Sequence, residues 1–97
     1  MPTYIVLYNY TAKGIQTIKE SPKRAEAVRQ ALQAVGGKLV ADYLVMGEYD
    51  GVGIIEAPDD ATVARLLLQM GEQGNIQTRT LRAFTEAETQ AILAAMD

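Results

Sequence analysis

The chain has 97 residues, of which 48% are hydrophobic and 22% charged, with a formal net charge of -3 and neither cysteine nor histidine. A chain of this size forms one domain with a thin core, and the lack of cysteine excludes a disulfide or a thiolate metal ligand as added support. The lack of histidine removes the most common general base near neutral pH, and the acidic balance argues against nucleic-acid binding, so a partner chain is the expected source of further stability.

The first half of the chain predicts a strand, a helix and a second strand. The run from Tyr4 to Tyr10 is rich in aromatic and β-branched residues, which is typical of a strand. Ser21-Pro22 predicts a helix start, with the serine hydroxyl as the cap and proline in the first helical position. Apolar residues then recur at three- and four-residue spacing until Gly36-Gly37 ends the helix, and residues 38–46 predict the second strand.

The second half repeats this order. Asp50-Gly51 favours a hairpin between the second strand and a third strand over residues 52–57. Asp59 and Asp60 follow Pro58 at the predicted start of a second helix, and residues 75–84 predict the fourth strand. Thr85 and Glu88 have the spacing of a capping box, in which each side chain bonds the backbone N–H of the other residue, so a short third helix is expected to follow.

These elements predict one α+β domain over residues 1–97 with the ferredoxin-like order βαββαβ, a four-stranded antiparallel sheet and an extra C-terminal helix. Two helices can cover only one face of such a sheet. We expect Ile5 and Leu7 to face the helices, and the opposite face to carry the following residues: Tyr4, Val6, Tyr8, Ala41, Tyr43 and Val45. That face is too apolar to remain in water, so a second copy of the chain is the expected cover.

Two separated blocks of sequence have a familiar pattern. One is Gly47-Glu48-Tyr49-Asp50-Gly51-Val52, and the other is residues 74–84. Together they resemble the GYD domain family, whose name comes from the glycine, tyrosine and aspartate matched here by Gly47, Tyr49 and Asp50. The Gly14-Ile15 connection and the helix start at residues 21–24 are also similar to that family. The resemblance therefore covers nearly the whole chain.

The resemblance implies a small bacterial protein of the dimeric α+β barrel superfamily. That superfamily includes cofactor-free monooxygenases, haem-handling enzymes and ligand-sensing domains. For the GYD family itself the resemblance implies a fold and a motif but no established activity.

The hairpin at residues 47–51 is the first candidate site. Glu48 and Asp50 have the chemistry of a paired acid and base, and Tyr49 that of a hydrogen-bond donor to a bound carbonyl. Turn chemistry accounts for the same residues without any ligand, because glycine supplies permissive backbone angles and aspartate bonds the turn backbone. The structural interpretation is favoured over the functional one.

A cavity between the sheet and a partner is the second candidate site. Phenols, hydroxyls and a guanidinium there suit a small planar or anionic ligand, although the same side chains are common in plain dimer interfaces. The register of the fourth strand stays open, so either Arg82 or Arg79 faces inward. The residues predicted to bind a ligand are Tyr8, Tyr43, Tyr49, Asp50, Arg79 and Arg82.

The sequence thus predicts a homo-oligomeric small-molecule-binding or interaction module in the cytoplasm. No cofactor is expected, and the spacing of the carboxylates selects no metal site. No membrane contact is expected, because no apolar run approaches the roughly 20 residues that cross a bilayer and no basic segment typical of a secretory signal precedes the first strand. The alternative is a cofactor-free enzyme of monooxygenase or isomerase type, acting in a pocket between the sheet and a partner.

Overall fold

The computed structural model describes residues 1–97, which form four strands and four helices. Their bounds are β1 Thr3–Tyr10, α1 Ala12–Gln16, α2 Ser21–Ala34, β2 Lys38–Leu44, β3 Gly51–Glu56, α3 Asp60–Gln73, β4 Ile76–Ala83 and α4 Glu86–Ala94. The strands pair antiparallel in the spatial order β2-β3-β1-β4. This is the ferredoxin-like arrangement that the order of elements predicts, and the fold prediction is confirmed. No helix is long and apolar enough to cross a membrane.

Of the three predicted N-terminal caps, those of α3 and α4 are confirmed and that of α2 is wrong. The Asp59 carboxylate accepts the backbone N–H of Thr62 at 2.8 Å and caps α3. Thr85 and Glu88 form the capping box of α4, at 2.9 and 3.2 Å. Ser21 is not a cap, because a 3-10 turn at Ile18–Glu20 leads directly into α2 and the serine backbone is already helical, whereas a capping residue needs an extended backbone.

The prediction of which face of β1 meets the helices is wrong. Tyr4 is 3% exposed and Val6 is 6% exposed, and both pack in one cluster with Leu32 of α2 and Val63 of α3. Residues alternate along a strand, so Tyr4, Val6 and Tyr8 face the helices, and Ile5 and Leu7 lie on the open face. Both faces of β1 are apolar, so alternation alone separates the two sets without saying which one is covered.

The open face of the sheet is mostly aliphatic. Cross-strand pairs place Ile54 beside Ile5 and Ala41, and Val52 beside Leu7. As predicted, Tyr43 lies on this face, where it is 58% exposed, and Leu81 of β4 is 52% exposed there. A bulge at residues 39–41 interrupts the edge strand β2. The face that the helices leave open therefore presents hydrophobic side chains in its centre.

The core is small for a chain of this length. Only 9 of the 97 residues are buried, and six of them form the single apolar cluster. The accessible surface is 6616 Å², whereas a compact monomer of this mass exposes about 5400 Å². The radius of gyration is 14.6 Å, against about 12.5 Å for a compact domain of this length. All but one residue of α4 are exposed, so this helix contributes to the excess surface.

Candidate functional site

The six residues predicted to bind a ligand lie in four places. Tyr43 and Arg79 are on the open face of the sheet. Tyr8 and Arg82 are on the helix side, opposite Thr78 and Tyr4 respectively, and so near different ends of β1. Tyr49 and Asp50 lie in the connection between β2 and β3. The structure therefore does not bring these side chains together in one pocket of a single chain.

Asp50 fastens the hairpin to the end of β1. Its Oδ2 accepts the backbone N–H of Tyr10 at 2.9 Å and lies 3.4 Å from the amide nitrogen of Asn9. The same Asn9 amide donates to the backbone carbonyl of Glu48 at 3.0 Å. Gly47, with a φ of 119°, takes the left-handed backbone that the turn requires. These contacts support the structural interpretation of the motif.

Replacing Asp50 with alanine is expected to lower the free energy of unfolding by about 1–2 kcal/mol, because the Tyr10 N–H loses its acceptor. Glu48→Ala is the matched control, since the Glu48 side chain is exposed and makes no hydrogen bond; a change below about 0.5 kcal/mol is expected. Denaturant unfolding measures both values. Equal decreases in the free energy of unfolding of the two variants would contradict the conclusion that the Asp50 side chain attaches the hairpin to β1.

Arg82 joins β4 to the start of α4. Its guanidinium lies 4.5 Å from the ring centre of Phe84 and 5.6 Å from that of Tyr4, within the range of cation–π attraction. It also donates to the carbonyl of Thr3 at 3.3 Å and lies 3.9 Å from the Glu88 carboxylate. Arg79, in contrast, is exposed and forms neither a hydrogen bond nor a salt bridge.

A cleft of about 650 Å³ opens between α2, α3 and the covered face of the sheet. The two helices close over Leu32 and Val63, where only a void of about 40 Å³ remains. The gap widens toward the N-terminal half of α2 and the C-terminal half of α3. Apolar side chains line most of the cleft: Val6, Val28, Leu39, Ile55, Leu66, Leu67, Met70 and Ile76.

One hydrogen-bonded pair gives the floor of this cleft a polar end. The Tyr8 hydroxyl donates to Asp42 Oδ1 at 2.7 Å. Burial raises the pKa of Tyr8 well above its ordinary value, and the bond to Asp42 raises it further, so the phenol stays protonated and keeps donating. The ring of Tyr10 meets that of Tyr8 edge to face at 5.9 Å. The Tyr4 hydroxyl is similarly fixed by Asp60, and burial first, then this bond, raise the pKa of Tyr4 to about 12.

Two glycines of β3 shape the floor in different ways. A Cβ on Gly51 would lie 2.0 Å from the Tyr8 ring, so this glycine makes room for the ring that orients Asp42. A Cβ on Gly53 would meet no atom closer than 4.0 Å. Gly53 therefore leaves empty space beside Asp42, although glycine weakens a strand interior.

Arg24 is the cationic side chain that lines the cleft, and its guanidinium already forms hydrogen bonds. Arg24 donates to the carbonyl and hydroxyl of Thr17, both at 3.2 Å, and to the carbonyl of Gly14 at 3.4 Å. These bonds hold the end of α1 against the start of α2. Nowhere do three or more Asp or Glu side chains come together to hold a metal ion.

Arg24 and Gly53 were not predicted as site residues from the sequence. Asp42 was not predicted either, although one signal was available: an acid next to Tyr43 in a strand must face the helices when Tyr43 faces away, and its hydrogen bond with Tyr8 accounts for that position. Alternate glycines at 51 and 53 in a central strand were a second signal.

Comparisons with known proteins agree with this fold and confirm the resemblance to the GYD domain family. The model of the GYD domain matches residues 4–93. The glutamine synthetase and cystathionine beta-lyase binding protein of Thermus thermophilus is 43% identical over 94 residues, which are 96% of this chain and 99% of that protein.

Two solved structures share the fold at low identity. The feast or famine regulatory protein from M. tuberculosis, complexed with L-methionine, gives a TM-score of 0.66 at 16% identity, with 88% of this chain covered and 51% of that chain. This chain thus spans about half the length of that regulator. A crystal structure of a Thermus thermophilus protein gives a TM-score of 0.53 at 24% identity, covering 88% and 95% of the two chains.

Proposed function

The chain belongs to the GYD domain family, and from this premise we propose that it is a homo-oligomeric binding module that assembles through the open face of its sheet and holds a partner protein. The observation that carries the proposal is the uncovered, aliphatic centre of that face. Apolar patches of this kind mark interaction sites on soluble proteins.

Self-association is supported by the surface that one copy exposes. The accessible surface of 6616 Å² exceeds that of a compact monomer by about 1200 Å². Face-to-face packing of two sheets would bury Ile54, Ile5 and Leu7 against their equivalents in the second copy. The small core of each chain would thereby be extended by a second apolar layer.

The proposed partner is glutamine synthetase. A relative that is 43% identical and matches along 99% of its own length is named for binding glutamine synthetase and cystathionine beta-lyase. A relative that matches along nearly its whole length supports a similar interaction for this chain. A cofactor-free enzyme has less support, because the tyrosines, the acid and the arginines predicted for it lie apart.

Co-migration with glutamine synthetase tests this proposal. The purified chain and the glutamine synthetase of the same organism are expected to elute as one complex in size-exclusion chromatography with light scattering at micromolar concentrations. Serum albumin serves as the control for nonspecific adhesion of the apolar face. Separate elution of the chain and glutamine synthetase would contradict the proposal.

Small-molecule binding is a second candidate function, favoured by the cleft under α2 and α3. Its volume of about 650 Å³ lies within the roughly 300–1,000 Å³ of ligand pockets, and apolar walls with a few polar groups are typical of such pockets. This location differs from the pocket between two sheets that the sequence predicts, and of the six predicted ligand-binding residues it includes only Tyr8.

A further inference from the structure

We propose that the cleft under α2 and α3 binds an organic cation, a molecule with an apolar body and an ammonium group that is held by Asp42. This inference rests on the proposal that the cleft holds a small molecule, and it names the chemical class. Asp42, Glu72 and Arg24 are the charged residues that line the cleft. Their formal charges sum to an excess of negative charge.

Asp42 is the acid of the cleft whose carboxylate is oriented by a hydrogen bond and, like Glu72, it has no cation as a partner. It forms no salt bridge within 4.0 Å, since the salt bridges of the chain are Arg29–Glu26 and Arg82–Glu88. Its Oδ1 accepts from Tyr8, and its Oδ2 has no hydrogen-bond partner. A carboxylate with one oxygen oriented by a fixed phenol and the other oxygen free is a suitable acceptor for an ammonium group.

Arg24 offsets only part of the negative charge of the two acids, and three of its five N–H groups are already engaged. Its two terminal nitrogens donate to oxygens of Thr17 and Gly14, on the connection that precedes α2. Tyr8 is also occupied as a donor, because its hydroxyl proton points to Asp42. An anionic head group in the cleft would therefore face an acid and would find the nearest phenol already engaged.

Gly53 provides the space for the apolar body of the ligand. It lies on the cleft floor opposite Val6 of β1 and Asp42 of β2, and a Cβ there would meet no atom closer than 4.0 Å. No positive φ requires glycine at this position. Glycine within a strand is often found where a ligand approaches the backbone closely.

Calorimetric titration with three matched probes tests the proposal: octylammonium, octanol and octanoate, at low ionic strength. Octylammonium is expected to bind about two- to fivefold more tightly than octanol, because Asp42 is exposed and water screens its attraction to an ammonium group. Octanoate is expected to bind more weakly than either. In Asp42→Asn, which keeps an acceptor for Tyr8, octylammonium should lose its advantage while octanol binding is unchanged.

Two further variants control for fold and charge. Gly53→Leu should abolish binding of all three probes, and because it raises strand propensity it should leave the circular dichroism unchanged. Glu86→Gln removes one negative charge on α4, outside the cleft, and should leave the preference intact.

Other outcomes would overturn the proposal. Equal binding of octylammonium and octanol, or tightest binding of octanoate, would reject the cationic class while the cleft remained a ligand site. Failure of every probe to bind would reject the ligand site together with its class. An undiminished preference for octylammonium in Asp42→Asn would reject Asp42 as the recognition group.

Discussion

Replacing Ile54 with aspartate is expected to separate the copies of the chain while each copy stays folded. Ile54 lies in the central strand β3, beside Ile5 of β1 and Ala41 of β2, with no cation next to it in the sheet. In one copy it is only half-buried, so water can solvate the new carboxylate. Between two packed sheets the same carboxylate would be buried without a partner.

The expected loss is at least about 3 kcal/mol of association free energy, which is roughly a hundredfold or more in the dissociation constant. Light scattering across a dilution series measures the mass, and circular dichroism confirms that the sheet persists. Gln33→Asp, an identical charge change on the exposed side of α2, should leave the mass unchanged. A wild-type chain that is monomeric at high concentration would contradict assembly, and an unchanged mass for Ile54→Asp would place the interface elsewhere.

Replacing Leu32 with alanine is expected to cost about 2–5 kcal/mol of folding free energy. Leu32 is 0% exposed and is the largest side chain with no accessible surface. It packs in a cluster of six buried residues that makes up the apolar core of the domain. Truncating Leu32 therefore leaves a cavity in that core. The free energy of unfolding of a domain of this size is only about 5–15 kcal/mol, so the loss is a large fraction of the total and the melting temperature is expected to fall markedly.

Leu68→Ala is the matched control for this second variant. It is the same substitution on α3, but Leu68 is 72% exposed, and a change below about 0.5 kcal/mol is expected. Denaturant unfolding at a fixed protein concentration compares the two, because association with a second copy adds to the apparent stability. Similar midpoints for the two variants would show that the described cluster is not the core of the domain.

The order and type of the elements could be predicted from local signals. Capping residues such as Asp59 and Thr85 act on backbone N–H groups within one turn, so their effect is visible in a few residues of sequence. Ser21 has the same side chain chemistry but fails as a cap, because the preceding residues continue the helical turn. That difference depends on the backbone of Ile18–Glu20.

The face of β1 could not be predicted, because it is decided by residues distant in sequence. Tyr4 is long enough to cross the apolar layer and bond Asp60 at the start of α3, so an aromatic residue with a polar end fits the covered face. Tyr8 likewise reaches Asp42, at a position where Gly51 leaves room for its ring. Neither partner is visible from alternation within β1.

The candidate site was only partly predictable for the same reason. Asp50 could be identified as a turn residue, but the acceptor role toward Tyr10 required the position of the hairpin against β1. Tyr8 was predicted as a site residue on the wrong face, and the cleft that it borders depends on the distance between α2 and α3. The distance between two helices cannot be predicted from the residue pattern of either helix.

The irregularity at residues 39–41 has a consequence for how far the sheet can grow. β2 and β4 are the two margins of the sheet, and only β2 carries this interruption. A bulged margin is a poor template for hydrogen bonding with a further strand, whereas β4 pairs without a break over eight residues. A further strand can therefore be added only at the β4 edge. Two molecules that pair through β4 would form a closed dimer, with no second edge available for a fibre.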